Sequence, residues 1–394
     1  MRIEMPYEAE WIIDNIRSHG YEAFIVGGCV RDAVLGRIPG DWDITTSAKP
    51  EQVKEIFGKT VDTGLKHGTV TIIKHGSGYE VTTYRIDGEY LDGRHPETVE
   101  FTPDLREDLK RRDFTINAMA YSHETGIVDE FEGMEDLKRR VIRCVGCAKD
   151  RFTEDALRIL RAVRFAAQLD FVIEDETYKA IAEIAPNLVH VSKERIQVEL
   201  TKLLTGRGAA EVLRAYLDVL GVFWPEILPM VRLDQRNRHH CYDVWEHTLH
   251  ALAASPADIT VRYTMLLHDI GKPACMRLDE AGRGHFRGHP AESARMADQM
   301  LRRLRFDNQT REHIVRLVEW HDRPIVPEDP AVRRCLRELG EEELRKLLTV
   351  KRADNLAQAP AYQDRQRELA QVEAILDRLV EEDACVSLRQ LAVS

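Results

Sequence analysis

An α+β protein is what this sequence predicts: an N-terminal α/β region with a mixed sheet, followed by a long all-α region. Three observations predict it. Helical and strand-like patterns alternate through about residue 145. Strand patterns then disappear from about residue 150, and apolar residues recur at helical spacing almost to the end. The apolar run Ala23-Phe24-Ile25-Val26 stops at Gly27-Gly28, as a buried strand does when it turns into a helix. In order, the pattern gives a helix over Tyr7 to His19, strand Ala23 to Val26, a helix from Val30 to Leu35 and strand Trp42 to Thr45. A helix near Pro50 to Phe57 and strand Thr69 to Lys74 follow, with a hairpin partner, Glu80 to Ile86, across His75-Gly76-Ser77-Gly78. The Gly- and charge-rich stretch Asp87 to Pro96 reads as a mobile loop just after a candidate active-site strand. In the helical part, prolines cluster at Pro324, Pro327 and Pro330, and Leu228 to Arg238 reads as a boundary between two helical domains. Arg365 to Val380 is a charged amphipathic helix expected to pack back on the chain.

At 394 residues the chain is too long for one ordinary core. The expected division is 1–145, 146–230, 235–360 and 361–394. A hydrophobic fraction of 43% beside 31% charged residues is that of a soluble globular protein. There is no apolar stretch long enough to span a bilayer and no signal-peptide pattern, so no membrane association is expected and the cytoplasm is the expected compartment. Seven scattered cysteines make no disulfide framework, and the lone pair Cys144-x-x-Cys147 lacks the second pair a zinc ribbon needs. A net charge of −11 argues against nonspecific nucleic-acid binding. RNA contact must be local, at clusters such as Lys110-Arg111-Arg112, Lys138 to Arg143, or Arg232 to Arg238.

Gly27-Gly28-Cys29-Val30-Arg31-Asp32 and, shortly after, Asp41-Trp42-Asp43 point to nucleotidyl transfer. The glycines let backbone N–H groups approach a triphosphate at the start of a helix, and Arg31 adds a fixed cation. On an extended segment Asp41 and Asp43 leave the same face and can hold Mg²⁺ between them, as a two-metal displacement at phosphorus requires. Taken singly, the fragments read as an ordinary turn and a solvated loop. Their order and proximity favour the site.

Arg111-Arg112-Asp113-Phe114-Thr115-Ile116-Asn117-Ala118 begins charged and turns apolar, where a cationic site meets a core, and Arg112 is the candidate phosphate or ribose contact. Downstream, Glu154 to Arg164 reads as one helix with Asp155, Arg158 and Arg161 on a broad polar face, while Arg164 has drifted about half a turn from Asp155. Asp155 and Arg158 pair an acceptor with a donor. Cytosine and adenine each present an amino donor beside a ring-nitrogen acceptor, so this pair accepts CTP and ATP and leaves groups unpaired against UTP and GTP. The alternative is a surface salt-bridge ladder.

These elements resemble the class II tRNA nucleotidyltransferases of the bacterial CCA-adding type, within the poly(A) polymerase head-domain family. Glu80-Val81-Thr82-Thr83-Tyr84-Arg85 and Glu194-Arg195-Ile196 extend the likeness over roughly residues 20 to 200. The resemblance implies a palm-like head, then a helical neck, body and tail in a seahorse-like molecule. It implies that Asp41 and Asp43 hold metal, with Glu80 as a third carboxylate. It also implies that Gly28, Arg31 and Arg112 bind triphosphate or ribose, that Asp155 and Arg158 pair with the base, and that Arg161 and Arg164 complete the pocket. The loop Asp87 to Pro96 matches a flexible loop that helps the pocket pass from C to A addition. The implied reaction is attack by a tRNA 3′-hydroxyl on the α-phosphorus of CTP or ATP, with loss of pyrophosphate and without a nucleic-acid template.

The helical half resembles the HD-domain family at Leu267-His268-Asp269-Ile270-Gly271-Lys272. His247, His268, Asp269 and Asp354 match its core ligands, and His289 and His321 match the extra histidines of phosphohydrolase members. Imidazole and carboxylate donors suit a second divalent transition metal, singly or as a pair. His285, His313 and Asp322 lie close enough in sequence to compete for the assignment. Within this class an A-adding enzyme or a poly(A) polymerase is an alternative. A different class makes the HD domain the main activity, as a metal phosphohydrolase, with the head a degenerate RNA-binding module.

Overall fold

A computed structural model describes residues 2–88 and 98–391, with side chains as far as Glu382. The expected loop at Asp87 to Pro96 therefore lies, from residue 89 on, outside the described residues. Two compact units are present: Met1–Ala166 with Asp170–Val191, and Ala167–Leu169 with Ser192–Ser394.

The first unit carries a seven-stranded sheet. Its order is Thr60–Gly64, Thr69–Lys74, Ser77–Thr83, Ile44–Thr46, Ala23–Val26, Met119–Ser122 and Gly126–Asp129. The sheet is mixed because Ile44–Thr46 runs parallel to Ser77–Thr83 and antiparallel to Ala23–Val26. Strand Ala23–Val26 is buried along its whole length, which accounts for its unbroken apolar sequence. Helix Tyr7–Ser18 buries Ala9, Ile12, Ile13 and Ile16, one face of a 3.6-residue period. Phe24, Val26, Tyr84, Leu109, Ala118, Ala120 and Val145 form a core beneath the sheet.

The hairpin differs from the sequence reading. Its turn is only His75-Gly76, both at positive φ (49° and 85°), so pairing starts at Lys74 and Ser77 rather than at Glu80. Two residues at positive φ suit the twist of the flanking strands, and the loop shortens accordingly. Strands Thr60–Gly64, Met119–Ser122 and Gly126–Asp129 were not legible, and short two-residue strands at Val172–Ile173, Arg277–Leu278 and Gly284–His285 interrupt the otherwise helical second half.

The second unit is helical. Several of its helices start on an aspartate that accepts a backbone N–H two or three residues on: Asp243 from Glu246 at 2.7 Å, Asp258 from Val261 at 2.9 Å and Asp307 from Thr310 at 2.8 Å. The last helix, Gln366–Leu391, packs back as its pattern predicts. Leu369, Val372, Leu376 and Leu379 join Leu317, Val332, Leu344 and Leu347 in one apolar cluster. No helix among the described residues is long and apolar enough to cross a membrane.

Candidate functional site

The first site is built on the head sheet. Gly27 ends strand Ala23–Val26 at φ 83°, and a Cβ there would lie 2.8 Å from Arg112 Nη1. Glycine at this position therefore both permits the turn and lets the Arg112 guanidinium reach the start of helix Gly28–Val34. Asp43 immediately precedes strand Ile44–Thr46, and its carbonyl accepts the Val26 N–H at 3.0 Å. Ile44 lies beside Val81 in parallel register, so Asp43 and Glu80 are neighbours one residue back, on the same face. Asp41, two residues earlier, lies close enough to act on both carboxyls. The carboxylates feel one another. Partial desolvation raises the Asp43 carboxyl above its usual range, against the pull of Arg112, and Asp41 adds to the rise. Glu80 is raised by desolvation and then by Asp43 and Asp41. A cluster of anions that resists its own ionisation is relieved by a cation, so the donor set suits a hard divalent ion.

Cations on the same unit are held by a hydrogen-bonded chain. Arg31 donates to both oxygens of Asp32 at 2.9 Å and to Asn117 Oδ1 at 2.7 Å. Asn117 Nδ2 donates to Asp113 Oδ1 at 3.1 Å, and Arg161 Nε donates to Asp113 Oδ2 at 2.7 Å. Burial opposes ionisation of Asp113, but Arg161 and the Asn117 hydrogen bond hold its carboxyl down at about 2. Arg112 has a buried Nε with no hydrogen-bond partner, and burial lowers its pKa. Behind it, the fully buried Asp108 accepts from Thr45 Oγ1 at 3.0 Å and Arg111 Nε at 2.9 Å, tying the strand after Asp43 to the arginine segment.

The continuous helix expected over Glu154 to Arg164 is broken. Helix Ala148–Glu154 ends, Asp155 is extended (φ −150°, ψ 103°), and a second helix, Leu157–Leu169, begins two residues later. Asp155 Oδ1 accepts the Leu157 N–H at 3.0 Å, so this carboxylate caps the new helix instead of lying one turn below Arg158 within it. A chain read only by its polar spacing hides such a break, because a cap and an intrahelical pair use the same residue types. Arg158 donates to Glu154, to the Arg151 carbonyl at 3.1 Å and to the Arg111 carbonyl at 3.4 Å. Arg161 and Arg164, expected to complete the pocket together, both reach the ring of Phe165.

The second site lies within the helical unit. His247 comes from helix Val244–Ala254, and His268 and Asp269 follow helix Ile259–Leu267. His289 starts helix His289–Arg303, His321 follows Asn308–Trp320, and Asp354 lies in Glu341–Leu356. Gly271 allows the close approach, because a Cβ there would lie 2.6 Å from the Ser293 backbone nitrogen. Each imidazole is oriented in the same manner. Nδ1–H donates to a backbone carbonyl: His247 to Ala357 (3.2 Å), His268 to Met265 (2.7 Å), His289 to Phe286 (2.9 Å) and His321 to Val318 (2.6 Å). That bond fixes the tautomer and leaves the Nε2 lone pairs facing inward.

Inside, His247 and His268 Nε2 lie 3.4 Å apart, and His289 and His321 Nε2 lie 3.3 Å apart. Two lone pairs at that distance repel unless a cation sits between them or beside them. Asp269 stands in the middle. Its Oδ2 is 3.2 Å from His268 and 3.5 Å from His247, and its Oδ1 is 3.3 Å from His289 and 3.8 Å from His321. Ligand atoms converge in two sets, His247–His268–Asp354 and Asp269–His289–His321, each within 4.8 Å. Burial opposes protonation of His268, but Asp269 and Asp354 push its pKa up to about 10, a second sign that the cluster demands positive charge. The two donor sets fit divalent transition metal. His313 lies near Glu343 at 4.0 Å, and His285 pairs with Asp279 at 3.1 Å, outside both ligand sets. His285 and Asp322 line a cleft of about 1010 Å³ that includes Asp269, His289, His321 and Asp354, and Arg236, Arg238, Arg283, Arg287 and Arg365 line it too. Sequence reasoning missed Lys272, whose Nζ lies 2.7 Å from Asp269 Oδ2 and donates to Gln235 Oε1 at 2.8 Å. Its place directly after Ile270-Gly271 was the available signal.

Three family models match along the chain: the poly A polymerase head domain at residues 23–143, the probable RNA and SrmB-binding site of polymerase A at 170–224, and the HD domain at 238–359. A solved structure of the Bacillus stearothermophilus CCA-adding enzyme in complex with CTP is 34% identical, with a TM-score of 0.68 over 93% of this chain and 82% of that one. The chain belongs to the CCA-adding enzyme family. The CCA-adding enzyme of Leuconostoc mesenteroides is 47% identical over 258 residues, which is 62% of this chain and 64% of that protein. That of Geobacillus kaustophilus is 50% identical over 230 residues, 58% of this chain and 57% of its own. This chain thus spans between about half and just under two thirds of the length of the curated relatives it matches.

Proposed function

We propose that this chain is a tRNA nucleotidyltransferase that adds C, C and A to the tRNA 3′ end from CTP and ATP, working in the cytoplasm. The observation that carries the reading is the parallel register of Ile44 and Val81, which sets Asp43 beside Glu80, with Asp41 close enough to act on both and Arg112 at the adjoining glycine turn. Asp41 and Asp43, with Glu80, hold Mg²⁺. When bound, divalent ions neutralise the triphosphate and lower the pKa of the attacking hydroxyl. Gly28, Arg31 and Arg112 receive the triphosphate or ribose, Asp155 and Arg158 pair with the base, and Arg161 and Arg164 complete the pocket. The tRNA 3′-oxygen bonds to the α-phosphorus as the bond to pyrophosphate breaks, and the fixed cations stabilise the charge that gathers on the leaving oxygens. The working division is a head at 1–145, a neck and body for nucleotide selection and RNA binding at 146–230, an HD domain at 235–360 and a tail at 361–394.

The test incubates the protein with tRNA lacking its last three nucleotides and with CTP, ATP or both, then sequences the 3′ ends. CCA extension supports the reading. A single A added only after a supplied CC redirects it to A addition, and long A tracts redirect it to poly(A) polymerisation.

A second activity has its own support. The four Nδ1-tethered imidazoles and the central Asp269, beneath an arginine-rimmed cleft, fit a metal-dependent phosphoester hydrolase that binds an anionic substrate. Hydrolysis of a phosphodiester by metal-loaded protein, lost on chelation and restored by a divalent transition metal, tests it.

A further inference from the structure

Three basic clusters stand out in the sequence, and the fold treats them differently. In the first two, cations meet carboxylates of the chain itself: Lys110 with Glu107 at 3.2 Å, Arg111 with Asp108 at 2.9 Å, Arg140 with Asp170 at 2.7 Å and Arg143 with Asp136 at 2.8 Å. In the third, Arg236 and Arg238 are exposed and line the cleft of the helical unit, where Arg287 and Arg365 join them from other segments. Among the described residues these four side chains have no ion pair and no hydrogen bond. Asp322 and Asp364 line the same cleft, two carboxylates outside the metal donors against four guanidinium groups, so the surplus is positive. In a chain of net charge −11 such a surplus suits an anion from outside.

The arginine loop is fastened in place. Arg236 sits at φ 49° and its carbonyl accepts the Gly284 N–H at 3.1 Å. A Cβ at Gly284 would lie 2.2 Å from the Gln235 carbonyl oxygen, so glycine is what lets the hairpin 277–285 approach this closely. On the other side the His239 carbonyl accepts the Ala359 N–H at 2.9 Å. Two rings also line the cleft. Tyr362 stands edge-on to His239 at 4.3 Å, with the Arg238 guanidinium 5.8 Å from its centroid, and Phe286 directly precedes Arg287. The metal donors Asp269, His289, His321 and Asp354 line the same space.

Resting on the hydrolytic reading of the helical cluster, we propose that this cleft takes the end of a single-stranded nucleic acid and that the cluster hydrolyses a phosphodiester bond there. A mononucleotide gathers its charge in one place. Guanidinium groups on separate segments suit phosphates spaced along a sugar–phosphate backbone, and rings next to them suit bases, every one of which has a π face. The volume of about 1010 Å³ stands at the upper end of what one small molecule fills. In the step, a water oxygen bonds to phosphorus as the bond to one sugar oxygen breaks, and the proton that leaves the water ends on that sugar oxygen. No reactant besides water is consumed.

The test uses the full chain with 5′-fluorescent oligouridylates of one to eight nucleotides and their deoxy counterparts. Anisotropy on metal-stripped protein reads binding across a salt series, and gel analysis on Mn²⁺-loaded protein reads cleavage. Affinity should rise with length over the first few nucleotides. R236Q and R287Q should each weaken the octamer by roughly fivefold and flatten the slope of log K against log salt by about 0.7, with the two effects adding in the double variant. R236K should keep the parent slope, and tRNA extension and melting temperature should stay at parent values. Cleavage of the RNA or the DNA series supports the proposal and names the sugar. Unchanged octamer affinity in the double variant overturns it. So does a tenfold loss of tRNA extension, which would assign these arginines to the head reaction, or a loss confined to pyrophosphate and nucleoside triphosphates, which would assign a small polyanion. A parent protein that hydrolyses bis(p-nitrophenyl) phosphate but no oligonucleotide overturns the proposal alone. One that binds the octamer through these arginines and hydrolyses neither overturns the hydrolytic reading beneath it.

Discussion

In the head, carboxylates stand at the end of a strand with their nearest cations on neighbouring segments, whereas in the helical unit four imidazoles and two carboxylates converge from five helices onto one point. The head donors are oxygens only, and few, which suits a small hard ion that keeps waters and shares itself with substrate phosphates. The helical cluster has nitrogen donors pre-aimed by backbone carbonyls, which suits a resident transition metal. The difference teaches where each centre obtains its completeness. In the proposed reaction the head carboxylates share their ion with the triphosphate, whereas the helical donors are brought together by the fold alone.

The largest effect that separates them is loss of a head carboxylate. Asp43→Asn should reduce tRNA extension by about a thousandfold or more, the scale of removing a metal-borne transition-state contact, and leave phosphodiester hydrolysis unchanged. Single-turnover extension beside a hydrolysis assay on the same sample checks it. Residual extension within tenfold of the parent would break the comparison. Next is chelation. Dialysis against a weak chelator should empty the head before the helical cluster, and a strong chelator should empty both, read as bound metal per chain by elemental analysis; after the weak chelator, added Mg²⁺ alone should restore extension. Asp269→Asn should take the bound metal from about two ions to one or fewer and abolish hydrolysis, with extension retained.

Much of the head site was legible because its signals are local. Asp41 and Asp43 differ by two, and a period of two has one meaning on an extended segment. Gly27-Gly28 after four apolar residues likewise states a turn. The helical ligands were legible by residue type, and the competing His285 and His313 were resolved only once their partners Asp279 and Glu343 were in view. What stayed hidden is what the chain assembles across distance. Arg31 and Asn117 are 86 positions apart, and Asp113 and Arg161 are 48 apart, so no spacing announces their contact. Phe165 reads as one more core residue in an apolar helix face, since a ring's charged neighbours leave no mark in its own sequence. The break at Asp155 was masked because Arg151, Glu154 and Arg158 keep helical intervals across it.

That break sharpens the test of base selection. Asp155→Ala removes both the proposed base contact and a helix cap, while Asp155→Asn retains an oxygen for the Leu157 N–H and changes the proposed pairing face. Both variants should lose about ten- to a hundredfold of the preference for CTP and ATP over UTP and GTP, measured by competing nucleotides in one extension reaction. Only the alanine should also cost stability, about 1 kcal/mol by the usual worth of a cap. A stable, fully selective Asp155→Asn protein would leave the carboxylate as a cap alone.

The last expected effect concerns the acid limb of stability. Asp113 has a carboxyl held near 2 in the folded chain, against about 3.9 when unfolded. A depressed folded pKa gives stabilisation that is present above the unfolded value and is lost as pH falls through the folded one. The contribution is about 2 kcal/mol at neutral pH, fading between about pH 5 and pH 2. Asp113→Asn removes it, so the gap in melting temperature between parent and variant should be constant from pH 8 to 5 and narrow progressively below that. A gap that stays constant to pH 2.5 would mean that the link from Asn117 to Arg161 depends on shape rather than on the charge of Asp113.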